Sequence, residues 1–402
     1  MGLELEYPIV DASLAPKAVV EDVLRMVHGR RTSDAEYRNV GFGNELAAHV
    51  FEIKTLHPQR SLTRAERELV AGVRHIARIL DRELGARLLP TAMHPLMRPK
   101  DATLWRRAGQ RIYRAYDRIF DTRGHGWLNV QATHVNLPFG SERETVLLHN
   151  AIACVLPYLP ALAASSPIVE GDIGPDLDNR LRFYQSNQRR IPVVAGDVIP
   201  EFVTSFRDYR RRVFQPMYRA LDRVPGGNVL QHEWVNSRGA IMRFMRRAIE
   251  IRVLDTQECV KADVAIAAFI RGALRWMVTE LESGRMQLPE HAVLVDDFNR
   301  VVRRGRWALV AAPHLPASSA QRPASSVLAP LLESAADHLS ADERPYLNII
   351  QDRLENGSLA ERIVAAVRRR APRAGARRQS VIAEIYGELA ECLVGNRVWD
   401  SS

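Results

Sequence analysis

Eight polar side chains, spread over four short apolar stretches of period two, are the residues of this sequence with a spacing suited to chemistry. In Gly2-Leu3-Glu4-Leu5-Glu6-Tyr7-Pro8-Ile9-Val10-Asp11, the side chains of Leu3, Leu5, Tyr7 and Ile9 face one way, and Glu4 and Glu6 the other. Residues 48–55 set Val50, Glu52 and Lys54 against His49, Phe51 and Ile53. Residues 128–137 place Val130, Ala132, His134 and Asn136 on one face, and 248–254 place Glu250, Arg252 and Leu254 opposite Ile249, Ile251 and Val253.

Each stretch therefore predicts a strand with one apolar face and one face that carries a charge or a ligand. If the four lie side by side, Glu4, Glu6, Glu52, Glu250 and His134 converge on one surface. Carboxylates crowded in this way repel one another, and divalent cations are their natural compensation. Oxygen-rich ligation with a single imidazole suits magnesium, with manganese second, and suits zinc less. The plain alternative is four unrelated strands whose polar faces meet solvent.

The elements that must position these strands follow from periodicity and caps. The chain predicts a short helix over 16–30 ending near Gly29, and a turn-rich entry at residues 39–44. A long amphipathic helix runs from the cap Ser61 to Leu84 and stops at Gly85. A short strand over 87–92 leads to Met93-His94-Pro95, and a helix follows over 104–120. Ser141 opens an apolar helix reaching about Leu162, and a polar loop covers 169–180. Further helices are expected over 200–224 and 261–284. The whole predicts an α+β fold: a curved antiparallel β-sheet with a polar metal-binding face, helices on its other face, and a helical C-terminal region. Residues 1–310 form the expected catalytic domain, 311–326 a Pro/Ser/Ala-rich linker or loop, and 327–402 the helical region.

The totals exclude several classes. A chain of 402 residues with 46% apolar and 26% charged residues is neither disordered nor collagenous. Its net charge of +9, from 56 basic and 47 acidic residues, suits small anionic ligands such as nucleotides. Part of that excess lies in Arg368, Arg369, Arg370, Arg373, Arg377 and Arg378, which read as a solvated, mobile loop. No aromatic residues interleave with them, which argues against a nucleic-acid surface. Cys154, Cys259 and Cys392 show no metal or disulfide spacing, and no signal peptide or apolar membrane span is evident, so a cytoplasmic protein is expected.

From Gly2 to roughly Arg306 the sequence resembles the glutamate–cysteine ligase and carboxylate–amine ligase superfamily, which is similar in fold to glutamine synthetase. Six elements carry the resemblance, in the family's order. They are Gly2-Leu3-Glu4-Leu5-Glu6-Tyr7; Glu45-Leu46 with Phe51-Glu52-Ile53-Lys54-Thr55; Met93-His94-Pro95; Ala132-Thr133-His134-Val135-Asn136; residues 159–167 with Gly171 and Arg180; and residues 247–255 with Glu250 and Arg252. The resemblance implies ATP-dependent joining of a carboxylate to an amine through an acyl phosphate. It implies a magnesium cluster on Glu4, Glu6, Glu45, Glu52, His134 and Glu250. Arg252 would contact ATP phosphates and Arg180 a phosphate or the substrate; Lys54, beside Glu52, joins them as a nucleotide contact.

Two positions depart from the family pattern. Asn136 stands where the family has a second histidine, and Met93 where it has threonine. Metal binding is expected to survive these changes, while the substrates need not be glutamate and cysteine. The partners expected are a small-molecule carboxylate and amine, and the C-terminal helices offer a surface for the amine site or a homo-oligomer contact. The competing readings are a nucleotide-dependent amide hydrolase and a non-catalytic protein that binds nucleotide or an amino acid.

Overall fold

Leu3, Leu5, Tyr7 and Ile9 are each 1% exposed or less, and the strand that carries them, β1 (Gly2–Val10), lies at the centre of the fold. Each side chain so buried contributes about 1.5–3 kcal/mol relative to exposure. The computed structural model describes residues 1–105, 110–315 and 321–400. The strands that follow are β2 (Asp34–Tyr37), β3 (Val40–Asn44), β4 (Val50–Thr55), β5 (Arg87–Leu88) and β6 (Ala132–Pro138). After a small hairpin, β7 (Ile168–Val169) with β8 (Asp172–Ile173), come β9 (Ala240–Arg243) and β10 (Ala248–Asp255). The main sheet is open and antiparallel, in the order β2-β3-β4-β1-β6-β10-β9, with β5 also paired to β1. The fold class is α+β, as expected.

All four strands predicted to carry a polar face are present, the third only from Ala132 because His125–Leu128 is a helical turn. Three are adjacent to β1 or one strand removed from it, and the short strand expected over 87–92 is β5 alone. The turn-rich segment at 39–44 is instead strand β3, which pairs with β2 in a hairpin. Gly41 and Gly43 read as turn residues, but they are strand residues opposite Lys54 and Glu52. A Cβ on Gly43 would come within 2.9 Å of Glu52 Oε1, so the missing side chain makes room for the carboxylate. Strand β9 went unpredicted because four residues carry too little periodicity. Its outer edge is partly closed by Tyr209, whose hydroxyl accepts a hydrogen bond from Met242 N at 3.1 Å.

Helices cover the apolar face. Ser61 caps the helix Leu62–Ile79 by accepting from Arg64 N, and the helix runs on through a wider turn to Gly85 at φ 52°. Ser141 caps Glu142–Val155 in the same way, and Val260–Glu282 is the longest helix, with most of its first half buried. The predicted first helix is shorter than expected, Val20–His28. The helix expected over 104–120 is Gln110–Phe120, with 106–109 outside the described residues. The loop expected over 169–180 contains β8 and ends in a helix, Asn179–Tyr184, capped by Asp178, which fixes Arg180. In the expected 311–326 loop, Arg322–Pro323 pairs with Leu309–Val310; residues 316–320 lie outside the described residues.

His94, in the Met93-His94-Pro95 turn, is structural. Its Nδ1 accepts from Leu96 N and Met97 N at 3.2 and 3.0 Å, and its Nε2 meets the Leu14 carbonyl at 2.6 Å. The arginine-rich stretch is not one loop. Arg368, Arg369 and Arg370 end the helix Leu359–Arg370, and Arg377 and Arg378 begin the helix Ala376–Gly395. These helices form a smaller apolar cluster with Val10, Leu14 and Leu89, beside the main core. No described helix is long and apolar enough to cross a membrane.

Beneath the sheet, the helix Val260–Glu282 presents Asp263 to β6. Its Oδ1 accepts from Thr133 Oγ1 at 2.5 Å and Gln257 N at 3.1 Å, while Oδ2 has no partner among the described residues. Burial pushes this carboxyl up to about 8, against the hydrogen bond from Thr133, so it is neutral at pH 7. Between about pH 4 and 8 the folded chain then holds a proton that the unfolded chain has lost. Its stabilising contribution is complete below about pH 4 and is lost as pH rises toward 8. We predict that Asp263→Asn removes this slope. The unfolding free energy of the variant, relative to the parent, should rise from pH 5 to pH 8, by up to about 1.4 kcal/mol per pH unit, read by denaturant titration at each pH. A constant difference across that range would contradict a protonated Asp263.

Candidate active site

Cross-strand register brings the predicted polar residues onto one surface. Glu4 pairs with Lys54 on one side and His134 on the other, and Glu6 lies directly opposite Glu52. Glu250 lies opposite Asn136. The side chains follow: His134 Nδ1 is 3.3 Å from Glu4 Oε2 and 4.0 Å from Glu250 Oε1, and His134 Nε2 is 3.9 Å from Glu6 Oε1. Asn136 donates to Glu4 Oε1 at 3.2 Å, so the residue in place of a second histidine is still part of the cluster.

The electrostatics are those of an over-crowded acidic face. Burial pushes Glu6 and Glu45 up, in the second case helped by Glu6 and Glu52. Glu52 is raised to about 7 by burial and by Glu4, despite its ion pair with Lys54. Burial alone would raise Glu4 too, but the hydrogen bond with His134 and the surrounding cations hold it at about 2. Burial would likewise lower His134; Glu4, Glu6 and Glu250 together raise it instead. Glu250 is held low by Arg252 against the cost of burial.

Two arginines serve Glu250. Arg252 Nε donates to its Oε1 at 2.6 Å, and Arg243 pairs with its other oxygen. Arg246 reaches Glu4 Oε1 at 3.5 Å. Arg243 and Arg246 were not foreseen. Arg243 ends a strand too short to show periodicity, and Arg246 lies in the helical turn that follows it, so no pattern marked either.

Strand β10 departs from the predicted alternation. Glu250 and Ile251 pair with Asn136 and Val135, but Leu254 and Asp255 pair with Thr133 and Ala132, one residue out of step. The bulge turns Leu254, expected beside Arg252, onto the apolar face, where it is fully buried. It also brings Asp255 to the polar side, where it meets Arg180 in a buried ion pair. Arg180 Nη1 donates to the Arg252 carbonyl at 3.3 Å, so the two predicted arginines are neighbours.

A cavity of about 230 Å³ adjoins the cluster, and Glu6, Glu45, His134, Arg180 and Arg252 all line it. Its remaining walls include Tyr116, Trp127, Tyr184 and Trp234, which sequence reasoning missed. No periodicity marks them, since they come from four separate short elements of the chain. Lys54 does not line this cavity; it lies between Glu4 and Glu52 on the sheet.

The donor chemistry suits a hard divalent cation: buried carboxyls raised for want of a counter-charge, with a single imidazole among them. Among the described residues, however, no three His, Cys, Asp or Glu side chains surround one point at which a metal ion would sit. Lys54, Arg243 and Arg252 draw the carboxylates onto themselves instead.

A family model described as glutamate-cysteine ligase family 2 matches residues 1–384. An uncharacterized protein of Archaeoglobus fulgidus is 39% identical over 399 residues, covering 99% of this chain and 100% of the relative. A candidate glutamate–cysteine ligase 2 of Streptomyces coelicolor is 28% identical over 352 residues, 85% of this chain and 86% of that protein. The crystal structure of glutamate–cysteine ligase from Francisella tularensis in complex with AMP superposes with a TM-score of 0.67 at 11% identity, covering 100% of this chain and 89% of that one. A bifunctional glutathione synthetase from Pasteurella multocida gives 0.56 at 15% identity, over 97% and 52% of the two chains. At these identities the structural likeness shows the fold.

The Arg180–Asp255 pair is 2% and 0% exposed, and Asp255 also accepts from Ser165 N and Ser166 Oγ at 2.8 and 2.7 Å. We predict that Asp255→Asn, which leaves the guanidinium buried without its counter-charge, costs about 3–5 kcal/mol. Denaturant unfolding would measure it. A loss below about 1 kcal/mol would mean that the pair is solvated.

Proposed function

We propose that this chain, which belongs to the glutamate–cysteine ligase family 2, is an ATP- and magnesium-dependent carboxylate–amine ligase. The observation that carries the reading is the convergence of Glu4, Glu6, Glu52, His134 and Glu250 on one sheet face, with Arg252 bound to Glu250. Membership of the family supports the ligase class. AMP in the crystallised Francisella tularensis enzyme supports a nucleotide site here.

In this reading a carboxylate oxygen attacks the γ-phosphorus of ATP, the bond to ADP breaks, and an acyl phosphate forms. The amine nitrogen then attacks the acyl carbon, phosphate leaves, and the nitrogen gives up its proton. Glu4, Glu6, Glu45, Glu52, His134 and Glu250 would hold magnesium, which when bound neutralises charge on the phosphates. Arg252 presents a planar fork whose Nε is anchored on Glu250, which orients it for phosphate oxygens. Arg180, fixed by Asp255, is placed to meet a phosphate or a substrate carboxylate at the cavity. Lys54 supplies a further positive charge beside Glu52 for the nucleotide.

We predict that the purified chain, given ATP, magnesium, glutamate and a panel of amino acids, releases ADP and phosphate with formation of an amide. Release of AMP, or hydrolysis without an amide product, would set the proposal aside. Glu250→Gln keeps the size of the side chain while removing the charge that anchors Arg252. It should lower turnover by at least about 100-fold while the circular dichroism spectrum is retained.

A further inference from the structure

The cavity beside the carboxylate cluster has a polar end and an aromatic end. At the aromatic end, the Tyr116 ring is centred 5.3 Å from Trp127 at 57° and 6.0 Å from Trp234 at 43°. All three rings line the cavity, and mutually tilted rings offer both faces and edges to a flat apolar guest. Phe120 lies 5.8 Å from Trp127, and His232 stacks on Trp234 at 5.2 Å, so two of the three rings are held by further rings.

At the polar end, two buried groups on the cavity lack a partner among the described residues. Arg180 is 2% exposed; its Nε and Nη1 are used by Asp255 and the Arg252 carbonyl, but Nη2 donates to nothing. Gln188 is 3% exposed; its Nε2 donates to Ser237 Oγ at 2.9 Å, and its Oε1 accepts nothing. Buried donors and acceptors are costly when unpaired, and both side chains line the cavity, so a ligand that draws either atom outward gives it the partner it lacks. The guanidinium calls for an anionic oxygen and the amide oxygen for an N–H. An α-amino acid carries both on one carbon.

We propose that this cavity takes the amine substrate of the ligation, and that this substrate is an α-amino acid with a large, flat apolar side chain. Its carboxylate meets Arg180 Nη2, its amine donates to Gln188 Oε1, and its side chain fills the box of Tyr116, Trp127 and Trp234. The inference rests on the ligase reading for the word substrate. At about 230 Å³ the cavity lies just below the range of drug-sized pockets and has room for a single amino acid. A small thiol side chain would leave the three rings without contact. A cationic side chain would gain from the rings but would share the cavity with Arg180 and Arg252.

The test is calorimetric titration of the full chain with L-phenylalanine, L-cysteine and L-alanine, with and without magnesium and a non-hydrolysable ATP analogue. ADP release is measured in parallel with ATP, magnesium and glutamate. Phenylalanine should bind at least about tenfold more tightly than cysteine or alanine, the discrimination an apolar pocket achieves. Trp234→Ala should bring the three within about twofold of one another, and Arg180→Gln should weaken all three alike. Equal binding of the three, or no binding by any, overturns the inference. ADP release fastest with cysteine also overturns it and leaves the ligase reading intact. Selective phenylalanine binding with no ADP release would keep the aromatic box and remove the ligase. If Trp234→Ala or Arg180→Gln does not fold, the panel on the parent chain decides alone.

Discussion

Glu6 faces Glu52 directly across two central strands, with Glu4 beside them, and the rest of the molecule is arranged to tolerate that repulsion. Two carboxylates about 5 Å apart repel by roughly 3 kcal/mol at an effective dielectric near 20. A folded sheet keeps such a pair only where cations or protons offset it. Here Lys54, His134, Arg243, Arg246 and Arg252 all lean toward the acidic face, and the carboxyls of Glu6, Glu45 and Glu52 still lie above their ordinary range. A sheet built only for stability would not concentrate charge in this way. The excess is what a bound divalent cation and a polyphosphate would redistribute.

The compensation reaches well beyond the acidic face. Gly43 withdraws its side chain so that Glu52 can lie over β3. The turn between β9 and β10 presents Arg246 to Glu4, and the strand before it presents Arg243 to Glu250. A second set of buried charges anchors the C-terminal helices: Arg353 pairs with Glu258 at 3.0 Å, both essentially inaccessible. Such a pair adds little net stability, but either partner alone would be strongly destabilising, so it ties the helix Leu347–Asn356 to one position.

Much of this was legible in the sequence because a period of two survives in strands that are polar on one face. Glu4, Glu6, Glu52, His134 and Glu250 could be grouped before any coordinates were known, and the caps Ser61, Ser141 and Gly29 marked the ends of helices. Three kinds of feature were not legible. Gly41 and Gly43 look like a turn because the reason for them is a side chain on another strand. The slip in β10 leaves no mark on a residue pattern, so Leu254 was assigned to the wrong face and Asp255 passed over. The aromatic walls come from Tyr116, Trp127, Tyr184 and Trp234, which only the folded chain brings together.

That slip in β10 is what joins the two halves of the site. Without it Asp255 would lie on the apolar face, buried among hydrocarbon with no counter-charge, and Arg180 would lose its anchor. With it, Asp255 holds Arg180 at the cavity, and Arg180 donates in turn to the carbonyl of Arg252, whose guanidinium is bound to Glu250. A single extra residue in one strand thus links the carboxylate face to the aromatic cavity through a chain of charged contacts. Buried pairs with few alternative partners tolerate little displacement. Whatever occupies the cavity and whatever occupies the acidic face must therefore meet in one orientation, which is the requirement of a reaction that passes a group from one to the other.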